Sequence, residues 1–221
     1  MSVSVQESLL DACDEPVLGP LGDGSVRRTP LARGAWVDLR RGWLAGSGTV
    51  FARLAANPGP GKGAVPWRAE KRHMYDKVVA VPRLLCFYGE DAPLPDPALA
   101  AARAALNAHY EPELGEPFRT AGLCLYRDGR DSVAWHGDTI GRGRTEDTMV
   151  AILSLGTPRP LLLRPRAKAG EGSRPLRFEV GHGDLLVMGG SCQRTWEHAV
   201  PKTAHAAGPR ISVQFRPRGV R

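Results

Sequence analysis

Two histidines and one aspartate in this chain have the residue types and the spacing of a metal site. His136 and Asp138 lie two residues apart in DSVAWHGDT, and His198 follows sixty residues after Asp138 in TWEHAVP. Residues two apart on a β-strand project from the same face, so the imidazole and the carboxylate would converge on one point. Two histidines and one carboxylate at the rim of a β-barrel form the ligand set of non-haem iron(II) oxygenases. A surface hydrogen bond between His136 and Asp138 would produce the same pattern, so both interpretations stay open on these residues alone.

The alternation in GPRISVQFRPR predicts a further strand that carries arginines on one face. That face holds Arg210, Ser212, Gln214 and Arg216, and the other face is apolar. Arginines that point into a small barrel are costly to bury unless an anion lies between them. The Cα atoms of Arg210 and Arg216 would be ~20 Å apart, so two long side chains could hold the opposite ends of a small dicarboxylate by bidentate hydrogen bonds. An edge strand with solvated arginines is the alternative.

The elements that must position these side chains are mostly predicted β-strands. Short extended runs lie at residues 121–127, 132–136, 148–155, 160–165, 176–180, 184–189 and 211–216. The gaps between them are too short and too rich in glycine and proline for the helices of a doubly wound parallel sheet. Helical patterns occur earlier, within residues 36–57 and at about 96–109. We therefore expect a mainly β fold with flanking helices, a double-stranded β-helix or jelly roll, behind an N-terminal preface of helix and strand.

The composition fits a globular chain with a basic surface. The 221 residues include 30 Lys and Arg against 23 Asp and Glu, which gives a net charge of +7 and a pI near 9.6. A protein this basic often binds a polyanion, although composition alone can produce such a pI. The four cysteines have no close spacing, which argues against a cysteine-rich zinc site and favours a reducing compartment. No apolar run reaches the ~18–20 residues that cross a bilayer, so we expect a cytoplasmic protein with no membrane partner.

Together these residues resemble the AlkB family of Fe(II)- and 2-oxoglutarate-dependent dioxygenases. The resemblance runs over about residues 67–218. It includes PRLLCFYGE, LCLYRDGRDSVAWHGD, AILSLGTPRPLLLRPR, GHGDLLVMGGSCQRTWEHAVPK and the arginine strand PRISVQFR. The order of these segments, the His-x-Asp pair and the two arginines at the end all match the family pattern. A member of this family has the jelly-roll fold that the strand pattern predicts.

The resemblance implies a role for each candidate residue. The implied iron(II) ligands are His136, Asp138 and His198. Arg210, assisted by Tyr126, would hold the distal carboxylate of 2-oxoglutarate. Arg216 would lie near the proximal carboxylate, and Ser212 would line the same site. The implied reaction uses molecular oxygen and 2-oxoglutarate to hydroxylate an N-methyl group of a nucleobase, and it releases formaldehyde, succinate and carbon dioxide.

Three positions depart from the family pattern. Cys124 and Ser212 stand where the family often has asparagines that make polar contacts around the co-substrate. A thiol is a weak hydrogen-bond partner, and a serine side chain is shorter than an asparagine. Ile140 stands where many members have an acidic residue that contacts the amino group of the damaged base. These substitutions leave open how the co-substrate is held and which alkylated base is bound.

The resemblance also gives a domain organisation. Residues 1–30 would form a partly ordered N-terminal arm, and residues 31–221 a single dioxygenase domain. Within that domain we expect a nucleotide-recognition lid at about residues 62–90. The catalytic β core would occupy about residues 121–218.

The predicted lid combines basic and aromatic side chains, which suits contact with phosphates and stacking on bases. We expect Lys71 and Arg72 to contact the nucleic-acid backbone. Tyr75, seven residues before Pro82, is the candidate ring for stacking on a flipped base. A solvated strand surface would have a similar composition, and the resemblance favours the lid.

The leading prediction is an oxidative demethylase of alkylated bases in DNA or RNA. The predicted partner is nucleic acid, either single-stranded or with a flipped base. One alternative is a 2-oxoglutarate-dependent hydroxylase of a protein or a small molecule, and another is a non-catalytic nucleic-acid-binding β-barrel. A binder has no need of a full ligand set, which argues against the latter. The sequence does not distinguish DNA from RNA, and we expect a monomer by default.

Overall fold

The computed structural model describes residues 15–56, 66–74, 77–90, 92–166, 174–205 and 207–220 of the chain. Its strands are β1 (Val17–Leu18), β2 (Arg27–Pro30), β3 (Ala35–Arg40), β4 (Leu44–Ala45), β5 (Arg68–Met74), β6 (Lys77–Tyr88), β7 (Thr120–Tyr126), β8 (Val133–His136), β9 (Val150–Gly156), β10 (Arg159–Pro165), β11 (Leu176–Val180), β12 (Leu185–Gly190), β13 (Trp196–Val200) and β14 (Arg210–Arg216). Its helices are α1 (Ser47–Ala56), α2 (Pro97–Leu114) and α3 (Cys192–Thr195), with single 3-10 turns at Ala32–Gly34 and Arg142–Arg144. Each of the seven strands predicted from residue 121 onward is present, with ends shifted by at most two residues.

Two antiparallel sheets form the body of the protein. The large sheet has the strand order β2-β3-β12-β9-β14-β7-β6-β5, and the small sheet has the order β11-β10-β13-β8. Neighbouring strands are antiparallel in both sheets. Two facing antiparallel sheets with long-range strand order are typical of a jelly roll, so the predicted fold is confirmed.

An apolar core lies between the two sheets. It is built by alternate residues of the strands, including Val37, Tyr126, Ile152, Leu163, Met188 and Val200. Because side chains alternate along a strand, the residues between these point to the opposite face of each sheet. The polar residues that share the inner face with this core are therefore the ones that can form an enclosed site.

The two long helices cover the outer face of the large sheet. Buried residues of α1 and α2 pack against outward-facing residues of the large sheet in a second apolar core, which includes Val50, Leu54, Leu99, Leu106, Leu123, Leu153 and Val213. Asp96 caps α2, and its carboxylate accepts a hydrogen bond of 2.9 Å from the Ala98 N–H. The same carboxylate also pairs with Arg53 of α1 at 2.6 Å. An N-cap of this kind contributes about 1 kcal/mol, and here it also joins the two helices.

Some strands of the fold were not predicted from the sequence. Strand β13, which carries His198, was not predicted, although WEHAV alternates in the way of a strand. Strands β1 and β2 lie within the predicted N-terminal arm and pair with β4 and β3. The domain boundaries themselves stay a prediction.

No helix in the described ranges is both long and apolar enough to cross a bilayer.

Candidate active site

Neighbouring strands of the small sheet bring the two predicted histidine ligands together. His136 ends β8 and pairs in antiparallel register with His198 of β13. The centroids of their imidazole rings are 4.2 Å apart. Asp138 follows two residues after the end of β8, and its Oδ1 lies 3.8 Å from His136 Nε2. One ligand atom from each of the three side chains lies within 4.8 Å of the others, so the structure assembles the set that the sequence indicated.

Asp138 reaches this cluster from a loop, and not from the strand that the two-residue spacing suggested. The chain leaves β8 at Gly137, where a Cβ atom would lie 2.5 Å from the carbonyl oxygen of Gln193 and 3.1 Å from that of Trp196. Only glycine allows this approach. The buried side chain of Gln193 then accepts a hydrogen bond of 3.0 Å from the Asp138 backbone N–H through its Oε1. Gln193 therefore orients the loop, a role that no local sequence pattern indicated.

The charge states of the cluster suit a divalent metal. Burial alone would raise the pKa of Asp138, but the adjacent Arg216 guanidinium and the two histidines together outweigh it and lower the pKa to about 2. Burial lowers the pKa of His198 to about 3 and also lowers that of His136, so both imidazoles are neutral at pH 7. His136 Nδ1 lies 2.8 Å from the Ala134 carbonyl oxygen, which places the ring proton on Nδ1 and leaves Nε2 as the ligand atom. Two neutral nitrogens and one anionic oxygen fit the facial set of iron(II).

The large sheet presents a row of polar side chains to the same site. β14 lies between β7 and β9, and its inward-facing residues alternate with apolar ones that face the helices. The inward row is the predicted one: Arg210, Ser212, Gln214 and Arg216. At one end of the row, Arg216 Nε donates a hydrogen bond of 2.6 Å to Asp138 Oδ2, and this ion pair connects the two sheets.

Arg210 lies at the other end of the row and is only 2% exposed. Its Nε donates a hydrogen bond of 2.9 Å to Ser154 Oγ, and its guanidinium lies 5.3 Å from the centroid of the Tyr126 ring. Its Nη1 is buried and has no hydrogen-bond partner among the described residues. Burial lowers the pKa of Arg210 because the cation lacks solvation. A carboxylate of a bound dicarboxylate would satisfy this orphaned donor, so the residues present fit 2-oxoglutarate.

The middle of the row explains how the two departures from the family pattern are accommodated. Gln214 Nε2 donates hydrogen bonds to Ser212 Oγ at 3.1 Å and to Cys124 Sγ at 3.4 Å. Its Oε1 accepts a hydrogen bond of 3.0 Å from Arg216 Nη2. The side-chain amide of Gln214 therefore bonds to both departing residues, Cys124 and Ser212, and to Arg216. Sequence reasoning placed Gln214 on the correct face but gave it no role.

An exposed aromatic ring stands beside this row on the neighbouring strands. Gly122 of β7 is paired with both Gln214 and Phe87 of β6, and paired residues of antiparallel strands share a face. Phe87 is 42% exposed, so its ring is accessible on the side of the sheet that faces the site. A Cβ atom at Gly122 would lie 3.0 Å from Arg216 Nη1, and its absence leaves space between the ring and the arginine. No sequence pattern indicated that Phe87 would lie beside the site.

The remaining predicted substrate residues lie on the β5–β6 hairpin or outside the described residues. β5 forms the edge of the large sheet and pairs with β6, within the predicted lid. Lys71 is exposed on β5, and Arg72 is its neighbour in the same strand. Tyr75 lies outside the described residues. Ile140, which replaces the usual acidic residue, is 66% exposed two positions after Asp138. The roles of Lys71, Arg72 and Tyr75 therefore stay predictions.

Comparison with protein families agrees with this geometry. Residues 67–216 match the family model described as the 2OG-Fe(II) oxygenase superfamily. That range includes the three candidate ligands and all four polar residues of β14.

Several curated proteins are similar in sequence. The human alpha-ketoglutarate-dependent dioxygenase alkB homolog 3 is 31% identical over 168 residues, which cover 69% of this chain and 57% of that protein. The bovine homolog 3 is also 31% identical, over 86% of this chain and 66% of its own length. The DNA oxidative demethylase ALKBH2 of Arabidopsis thaliana is 33% identical over 50% of this chain and 41% of that protein. The chain thus spans about 57% to 66% of the length of the first two relatives.

A solved structure titled "The structure of OsALKBH1" superposes with a TM-score of 0.57. The match covers 87% of this chain and 100% of that one, at 16% sequence identity. This likeness supports the same fold. At this sequence identity, the likeness shows the fold alone.

Proposed function

The chain belongs to the AlkB family of 2OG-Fe(II) oxygenases, and on that premise we propose that it is an oxidative demethylase of alkylated bases in nucleic acid. The proposed co-substrates are 2-oxoglutarate and molecular oxygen, with iron(II) as the metal. One observation carries the proposal: the His136–Asp138–His198 cluster is joined through Arg216 to a strand whose other arginine is buried with an unsatisfied donor. Such an arrangement has a place for a cation and a place for a dicarboxylate on one continuous surface.

The three ligand residues would hold iron(II) with their present protonation states. The bound metal supplies, together with 2-oxoglutarate and oxygen, the oxidising chemistry that hydroxylates an N-alkyl carbon. Arg216 helps to keep Asp138 ionised and holds its Oδ2, whereas Oδ1 is the oxygen near His136 Nε2. Gln193 fixes the backbone of the same residue. Asp138 is therefore held by two independent contacts, in the way that outer-shell partners orient metal ligands.

Arg210 and Tyr126 would bind the distal carboxylate of 2-oxoglutarate. Burial raises the pKa of Tyr126 to about 12, so its hydroxyl stays protonated at pH 7 and can donate a hydrogen bond. Arg210 would gain an anionic partner for its buried Nη1. At the proximal end, Arg216 and the amide of Gln214 would contact the second carboxylate, with Ser212 beneath that amide. The row on β14 thus has a donor for each end of the molecule.

The substrate side of the site would accept a flipped base. The His136 side chain is 38% exposed, whereas Asp138 and His198 are buried, so the cluster opens to solvent at His136. A flipped base has lost its stacking neighbours and needs replacement faces. The Phe87 ring lies on this side of the large sheet, and Tyr75 of the predicted lid is the second candidate. Lys71 and Arg72 would contact phosphates, so their removal should weaken binding to any sequence and flatten its salt dependence.

Ile140 favours a second candidate function, hydroxylation of a protein or a small molecule. Its exposed apolar side chain cannot accept a hydrogen bond from the amino group of a base. The ligand cluster and the arginine row would be used in the same way by such an enzyme. Only the substrate distinguishes the two functions.

The decisive experiment incubates the full chain with iron(II), 2-oxoglutarate and oxygen and a panel of methylated DNA and RNA oligonucleotides. Mass spectrometry measures the base composition, and succinate release is measured in parallel. We expect loss of the methyl group from at least one oligonucleotide, with succinate formed above the level seen with the unmethylated control. Succinate formation that no methylated oligonucleotide stimulates would reject nucleic acid as the substrate and favour the second candidate.

A further inference from the structure

Arg166 lies against the loop that joins two of the proposed metal ligands. It is the first residue after β10, and its Nη2 would be 2.6 Å from a Cβ atom at Gly137. Gly137 separates His136 from Asp138, so the missing side chain leaves the space that the guanidinium occupies. The Arg166 N–H donates a hydrogen bond of 2.9 Å to the Thr195 carbonyl oxygen. The backbone of Arg166 is therefore fixed beside the cluster, and its Nη2 occupies the space left at Gly137.

The charge of Arg166 has no counterion among the described residues. Its Nε donates a long hydrogen bond of 3.4 Å to the Trp196 carbonyl oxygen, and its Nη groups donate none within the described ranges. Arg164, two residues earlier on β10, differs in both respects. It pairs with Glu197 at 2.9 Å and stacks 4.2 Å from the centroid of Trp135, on the outer face of the small sheet. Arg166 is partly exposed and keeps the donors of its fork available beside the open side of the site.

A second arginine, Arg33, lies on the 3-10 turn that packs against Trp196 and Ser191. Trp196 Nε1 donates a hydrogen bond of 3.2 Å to the carbonyl oxygen of Ala32, and Ser191 Oγ donates one of 2.6 Å to that of Arg33. Arg33 has a φ of 65°, which is unusual for a residue other than glycine, and these two bonds hold it there. Its side chain is exposed. The turn that carries Arg33 is thus anchored to Trp196, whose own carbonyl oxygen accepts the bond from Arg166.

We propose that Arg166 binds a phosphodiester of the substrate next to the target nucleotide, with Arg33 as a weaker contact on the same rim. An arginine fork matches two phosphate oxygens, and a base held at the cluster brings its own phosphates to the rim. The subsite would make the protein prefer an alkylated base within a nucleic-acid chain over the same base in a free nucleoside. This inference rests on the proposed function.

The test removes the charge from each partner in turn. Arg166→Gln removes it from the protein, and a neutral methylphosphonate at either linkage flanking the methylated base removes it from the substrate. Arg103→Gln is the matched control, because Arg103 lies on α2 at the outer face of the large sheet. Demethylation is measured for each pair of protein and oligonucleotide, and binding is measured by fluorescence anisotropy between about 50 and 200 mM salt.

We expect Arg166→Gln to weaken oligonucleotide binding about 10-fold and to reduce the salt slope for a single strand by about 0.7. One methylphosphonate should weaken oligonucleotide binding by the unaltered protein and by Arg103→Gln by a similar factor. It should weaken binding by Arg166→Gln little further. The effect of Arg166→Gln should be several-fold smaller when the substrate is a methylated nucleoside. Arg166→Lys, which keeps the charge but not the fork, should keep the salt slope and recover part of the affinity.

The outcomes separate the inference from the proposed function. If Arg166→Gln stays as sensitive to the methylphosphonate as the unaltered protein, Arg166 does not bind phosphate, and the proposed function is unaffected. If the unaltered protein demethylates no oligonucleotide, the proposed function fails and the inference fails with it. If Arg166→Gln lowers the melting temperature, the unaltered protein is compared with Arg166→Lys instead. A salt slope of Arg166→Lys as low as that of Arg166→Gln would then overturn the proposal.

Discussion

The small sheet and the large sheet contribute side chains of opposite electrostatic character to the same site. The small sheet and its loop supply two neutral imidazoles and a carboxylate, which together favour a cation. The large sheet supplies two arginines on one strand, which favour an anion. The Asp138–Arg216 ion pair is the contact between them. Metal binding and co-substrate binding are thus assigned to different strands, and each should be separable from the other by mutation.

The largest expected effect comes from breaking the small-sheet side. His136→Ala, Asp138→Ala and His198→Ala should each abolish turnover, because two remaining ligands hold iron(II) too weakly to activate oxygen. Asp138→Asn should fail as well, since it removes the anionic ligand. Succinate release measures the loss of activity, and titration with Mn(II) measures the loss of metal binding. His205→Ala, at an exposed histidine outside the cluster, is the control, and wild-type succinate release by any ligand variant would reject the metal assignment.

Breaking the large-sheet side should have the complementary result. Arg210→Met should raise the 2-oxoglutarate requirement by roughly 30-fold to several-thousand-fold, because loss of a buried charged contact costs ~2–5 kcal/mol. Metal binding should fall far less than co-substrate binding. Arg210→Lys should recover only part of the loss, since an ammonium cannot reproduce the fork. Calorimetric titration with 2-oxoglutarate provides the measurement, and an unchanged affinity in Arg210→Met would show that the two sides are not divided in this way.

A smaller effect is expected at the opening between the two sides, where a ring would stack on the base. Phe87→Ala should lower activity on a methylated oligonucleotide by about 5- to 150-fold, and Phe87→Tyr should stay near the unaltered activity. Tyr75→Ala tests the other candidate ring with the same expected range. Succinate formed without nucleic acid should persist in both alanine variants. If that background falls in parallel, the ring supports the fold; if neither variant loses demethylation, another group holds the base.

Between about pH 7 and 5, protonation of the buried His198 on the small-sheet side should destabilise the metal-free protein. The pKa of His198 is about 3 in the folded protein and near 6.5 in an unfolded chain, so between these values the unfolded state binds the additional proton. Its stabilising contribution is therefore complete above pH 6.5 and is lost progressively as the pH falls towards 3. The slope should be at most about 1.4 kcal/mol per pH unit for this residue.

Urea unfolding in the presence of a chelator, at intervals between about pH 7 and 5, measures this slope. His198→Gln should flatten it, because glutamine does not titrate. An equal slope in the unaltered protein and in His198→Gln would mean that other groups, such as carboxylates, dominate the pH dependence.

Sequence patterns predicted those parts of the site that depend on local alternation. The inward face of β14 and the His136–Asp138 pair were indicated by short spacings, and the family resemblance added His198. The position of Asp138 in a loop, the pairing of His198 with His136 and the amide of Gln193 were not. These depend on which strands meet across about sixty residues, and local periodicity carries no information about that register.

Phe87 and Arg166 show the same limit from the substrate side. Phe87 belongs to an apolar run, which from sequence alone is typical of a buried strand. Its pairing with Gly122 places it on the face of the sheet towards the site, where it is exposed. Arg166 is one of many arginines in a basic chain. Its position depends on Gly137, which lacks the side chain that would otherwise fill that space.

The ion pair between Asp138 and Arg216 also bears on how the protein matures. Arg216 ends β14, so a chain that is still being synthesised holds all three proposed iron ligands before it holds the arginine that pairs with Asp138. Until β14 inserts between β7 and β9, burial would act on that carboxylate without its counter-charge and favour the protonated form, a poorer ligand. Iron loading would then follow closure of the large sheet, and an unfinished chain would be kept from assembling an oxygen-activating centre.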